Sequence, residues 1–65
     1  MKISTKELIY LEDSSKLCQS IIESCNHAAR ESQDTQMKSF YQSIAQGHQQ
    51  LVDQAANLIK QSNLQ

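Results

Sequence analysis

Hydrophobic residues along the chain follow two stretches with helical periodicity. In each stretch the inward positions are separated alternately by three and four residues, which is the spacing of a packed helix seam. This pattern predicts one helix at about 5–31 and a second at about 35–61, joined by a turn at about 32–34. The first seam comprises Leu8, Leu11, Ser15, Cys18, Ile22, Cys25 and Ala29, and the second comprises Met37, Tyr41, Ile44, His48, Leu51, Ala55 and Leu58.

Residues with capping chemistry stand at the start of both predicted helices. Ser4 is followed three residues later by Glu7, the order of a capping box, and Asp34 is a favourable N-cap before the second helix. Because the connection is short, we expect one all-α domain over residues 1–65, folded as an antiparallel two-helix hairpin. A register about this turn brings Cys18 near His48. We expect the tail, residues 62–65, to fray.

A second row of positions widens the apolar surface of each helix. A hairpin covers only a narrow strip of each helix, so this row would largely face water, although burial of each such side chain contributes about 1.5–3 kcal/mol. We therefore expect homodimerisation into a four-helix bundle. The residues expected to face water are Leu17, Ile21, Phe40, Val52 and Ile59. The expected core and dimer interface comprises Leu8, Leu11, Leu17, Cys18, Ile21, Ile22, Cys25, Phe40, Tyr41, Ile44, His48, Leu51, Val52, Ala55, Leu58 and Ile59.

Gly47, the single glycine, lies inside the second predicted helix. Glycine in a helix interior costs about 1 kcal/mol relative to alanine. One interpretation is a place where the helices approach closely. The alternative is a kink, or a break into two shorter helices.

Composition argues against several classes of partner. The chain is 38% hydrophobic and 20% charged, with a formal net charge of -1. Its cationic residues are interleaved with acidic ones, so no basic stripe for nucleic acid is expected. No apolar run approaches the length of a membrane span, and no secretory signal is recognised at the start. These features favour a cytoplasmic protein with reduced cysteines.

Cys18 and His48 are the only residues that suggest a metal site. Two copies of each, brought together in a dimer, would supply a tetrahedral zinc site, but the spacing does not require one, and a buried histidine that fixes the helix register is the favoured explanation of His48. The chain lacks the Glu-x-x-His di-iron motif, a phosphate-binding loop and a nucleophile elbow. We expect no enzyme and no cofactor; the alternatives to a structural role are an RNA-binding or protein-docking hairpin and a metal-binding bundle.

Three segments resemble small bacterial proteins related to spore coat protein F. They are Lys6–Asp13 (KELIYLED), Asp34–Lys38 (DTQMK) and Ile44–Gln49 (IAQGHQ). The resemblance implies a ferritin-like bundle shape, a structural role without catalysis, other coat or structural proteins as partners, and a location in the spore coat. Because this chain supplies only one hairpin, dimerisation is the natural way to complete such a bundle.

Overall fold

The computed structural model describes residues 1–64 as a long helical hairpin. Helix α1 spans Thr5–Glu31 and helix α2 spans Thr35–Gln61, and each contains 27 residues. The two helices pack side by side in a body of 49 × 15 × 11 Å, which confirms the predicted all-helical class and the hairpin shape. Across the described residues, neither helix has a stretch that is long and apolar enough to cross a bilayer.

Both predicted N-caps are confirmed. The Ser4 hydroxyl accepts from the Glu7 backbone N–H at 3.1 Å, and the Glu7 carboxylate accepts from the Ser4 N–H at 2.9 Å. The Asp34 carboxylate accepts from the Met37 N–H at 3.0 Å. Each cap satisfies donors that have no partner within the helix. The hydrogen bonds from Ser4 hold the pKa of Glu7 below its ordinary value.

The connection between the helices is held by a cross-helix hydrogen bond. The Lys38 ammonium, in the second turn of α2, donates to the Ala29 carbonyl near the end of α1 at 3.0 Å. The carbonyl end of a helix favours a cation. This contact therefore ties the start of α2 to the end of α1.

On α1, the residues that face α2 are the ones expected. All seven predicted seam positions are half-buried or buried, and Ala29 is among the most buried residues of the chain. Leu17, Ile21 and Phe40 are exposed, as predicted for a lone hairpin.

On α2, the prediction is right for four of its seven seam positions, because Tyr41, Ile44, His48 and Ala55 are half-buried, and wrong for the other three. Val52 and Ile59, expected to face water, are half-buried against α1, and Ala45 is buried. Three residues expected in the seam are exposed instead: Met37 by 40%, Leu51 by 53% and Leu58 by 40%. Because these rows are adjacent on the helix surface, a small rotation of α2 about its axis exchanges their roles.

A short strand pair forms at the open end of the hairpin. Strand β1 (Lys2–Ile3) pairs in parallel with strand β2 (Asn63–Leu64), with Lys2 opposite Asn63. Ile3 is buried there. The prediction that the tail frays is therefore wrong for the backbone of residues 62–64. Ser62 is the C-cap of α2, and strand β2, which follows it, pairs with β1. Gln65 lies outside the described residues.

Candidate functional site

One broad side of the hairpin is apolar, and we call it the apolar face. It consists of a row on α1 and a row on α2, each spaced at three and four residues along its helix. None of these residues is charged. The α1 row comprises Tyr10, Ser14, Leu17, Ile21, Ser24 and Ala28, and the α2 row comprises Phe40, Ile44, Gly47, Leu51, Gln54 and Leu58.

The two rows lie on the same side of the hairpin. Tyr10 and Leu58 line one groove near the open end. Ser14, Leu51 and Leu58 line a neighbouring groove of about 270 Å³. Each groove therefore joins a residue of the α1 row to a residue of the α2 row, so the apolar face crosses both helices in the part of the hairpin near the open end.

The largest side chains of the apolar face are well exposed. Leu17 is 67% exposed, Phe40 is 56% exposed and Tyr10 is 58% exposed. A contiguous apolar patch on a protein surface marks an interaction site, whereas single exposed apolar residues do not.

The opposite side of the hairpin is polar. One groove there is lined by amides such as Gln42 and Gln46. A second groove combines Glu12 and Lys16 with the apolar residues Val52, Ala56 and Ile59. Charges of both signs alternate there, so this side suits solvent rather than a single charged ligand. The apolar face therefore differs from this side by having no charged residue.

Gly47 lies in the middle of the α2 row and does not bring α1 and α2 together. A Cβ atom built on Gly47 would meet nothing within 4 Å, so the interpretation of a close approach within the hairpin is wrong. The alternative of a broken helix is also wrong, because α2 runs continuously from Thr35 to Gln61. Nothing in the lone hairpin requires a glycine at this position.

His48 has a structural contact within its own helix. Its Nδ1 lies 2.9 Å from the Ile44 carbonyl oxygen. A carbonyl only accepts, so Nδ1 carries the proton in this arrangement. His48 is half-buried, as expected for a seam position.

The metal hypothesis has little support in the side-chain arrangement. Cys18 and Cys25 are free, half-buried thiols. Within the part of the chain that the structure describes, no three His, Cys, Asp or Glu side chains come together in a way that would hold a metal ion. A zinc site at Cys18 and His48 would require ligands from a second copy.

Comparison with protein-family models, curated proteins and solved structures found no match to this chain. The relationship to spore coat protein F, with the spore-coat location that it implies, therefore stays a prediction.

Proposed function

We propose that this chain is a non-enzymatic structural protein that homodimerises through the apolar face into a four-helix bundle. The observation that carries the proposal is the exposure of the apolar face on a hairpin that has almost no core. The partner is a second copy of the chain, with the polar sides of both copies turned to solvent.

The lone hairpin lacks a core of its own. The buried hydrophobic residues are Ile3, Ala29 and Ala45, and no large side chain is fully buried among the described residues. A domain of this size is marginal even when it is compact. Burial of the apolar face against another surface would supply the missing core.

The area available matches what a dimer needs. The chain has a mass of 7.4 kDa and an accessible surface of 5008 Å². A compact monomer of that mass exposes about 4200 Å². The excess of about 800 Å² equals the area that each partner contributes to a standard protein interface.

The dimensions of the hairpin give a similar interface area per copy. Its broad side measures 49 by 15 Å, a footprint of about 740 Å², close to the typical contribution per partner. Two flat hairpins stacked through this side bring each helix against two neighbours, as in a four-helix bundle.

Sedimentation equilibrium of the native chain over a range of concentrations tests the proposal. We expect a mass twice the 7.4 kDa of one chain, and helicity that falls together with the dimer fraction on dilution. Helicity and the dimer should be lost together because the hairpin depends on the interface for its core. A chain that is fully helical while monomeric would contradict the proposal.

A further inference from the structure

One groove of the polar side, near the inter-helix turn, is an exception to the mixed charge of that side. It is lined by Asn26, Ala29, Arg30, Lys38 and Gln42, and its volume is about 230 Å³. Two of these residues are cations, two carry amide groups, and no carboxylate lines the groove. All four polar side chains can donate hydrogen bonds, so the groove is a cluster of donors with a positive charge.

The packing of the helices places the four polar side chains at two levels of the groove. Lys38 donates to the Ala29 carbonyl at 3.0 Å, so Arg30, the next residue of α1, lies at about the level of Lys38. Asn26 lies one turn before Arg30 on α1, and Gln42 lies one turn after Lys38 on α2. These two amides therefore share the neighbouring level. The groove thus has the two cations on opposite sides, with an amide beside each of them.

Neither cation of the groove is neutralised by a carboxylate of the hairpin. Within residues 1–64, no ion pair involves Arg30 or Lys38. The carboxylate of Asp34, one turn before Lys38, accepts from the Met37 N–H at 3.0 Å and so serves the helix cap. Two like charges at one level repel each other, and an anion bound between them would replace this repulsion by attraction.

We propose that this groove binds a phosphate group between Arg30 and Lys38, with further hydrogen bonds from Asn26 and Gln42. A phosphate monoester carries a charge of about −1.5 to −2 near neutral pH and has three strong acceptor oxygens, which match two cations surrounded by donors. A carboxylate carries one charge and would neutralise only one of the cations. The guanidinium of Arg30 suits phosphate in particular, because its planar N–H groups can bind two oxygens at once.

The groove stays accessible when the apolar face is covered. Asn26 and Gln42 also line the amide groove of the polar side, which lies opposite the apolar face. The phosphate site therefore goes beyond the proposed function and does not depend on it. Dimerisation and phosphate binding can each fail without affecting the other.

An NMR titration of the ¹⁵N-labelled native chain with inorganic phosphate, at constant ionic strength, tests the proposal. We expect saturable shift changes concentrated in the side-chain amides of Asn26 and Gln42 and in the backbone N–H of Arg30. A dissociation constant of about 1 mM is expected for so small a ligand. Acetate at the same ionic strength should cause much smaller changes. Shifts that do not saturate, that spread over the whole chain, or that acetate reproduces would overturn the proposal.

Two variants separate the groove from a general effect of positive charge. Arg30→Gln removes one cation from an exposed position, so the hairpin should be unaffected, but phosphate binding should weaken about tenfold. Lys16→Gln is the matched control, because it removes a cation from the groove that Glu12 also lines, and it should bind phosphate as the native chain does. Equal affinities in Arg30→Gln and Lys16→Gln would show that phosphate does not bind at this groove.

Discussion

Replacing Leu17 by aspartate perturbs the apolar face at its most exposed large residue. Leu17 is 67% exposed in the hairpin, so it contributes little to the packing of α1 on α2. Substitutions at exposed positions change the free energy of unfolding by about 0.5 kcal/mol or less. The effect of Leu17→Asp on the hairpin itself should therefore be small, and the effect on dimerisation should be large.

The magnitude follows from the area that remains to be buried. Full burial of a leucine contributes about 1.5–3 kcal/mol. Because two-thirds of Leu17 is still exposed, dimerisation would bury side-chain surface that contributes about 1–2 kcal/mol per copy, or about 2–4 kcal/mol per dimer. A desolvated carboxylate without a partner adds to the penalty. We therefore expect the dissociation constant to rise at least about a hundredfold.

Sedimentation equilibrium and circular dichroism measure the two consequences together. Ser20→Asp is the matched control, because it places the same charge on an exposed position of α1 outside the apolar face. We expect Ser20→Asp to behave as the native chain, and Leu17→Asp to lose both dimer mass and helicity. If both variants form equally stable helical dimers, the apolar face is not the interface.

Further predictions concern the caps and the metal hypothesis. Ser4→Ala should lower the free energy of unfolding by about 1 kcal/mol in chemical denaturation, and Asp34→Ala should do the same at the start of α2. The pKa of Glu7 is lowered in the fold, so the stability contributed by this carboxylate is present at neutral pH and is lost as the pH falls through its ordinary value towards the lowered one. In an NMR titration Ser4→Ala should raise the pKa of Glu7; an unchanged value would contradict the role of the cap. Zinc added after chelation should leave the Tm unchanged, because Cys18 and His48 are half-buried within each hairpin and neither lies on the apolar face where the two copies would meet; a large rise in Tm would revive the metal hypothesis.

The helices and their starts were predictable because they depend on local chemistry. A Ser–Glu pair at capping distance, an acidic cap at Asp34 and an uninterrupted period of three and four residues each act within one or two turns of chain. The strand pair at the open end was not predictable in this way. Lys2–Ile3 and Asn63–Leu64 are two-residue segments without a periodic pattern, and only the hairpin brings them together.

The side of α2 that faces α1 could not be predicted from the sequence pattern, for a different reason. Its seam row and its exposed row are both apolar, so periodicity alone does not decide which one meets α1. In the structure Val52 and Ile59 meet α1, and Leu51 and Leu58 remain exposed. Both rows carry apolar residues because, in the proposed dimer, each α2 packs on two neighbours. The ambiguity that misplaced Leu51 and Leu58 is thus the same property that a four-helix bundle requires.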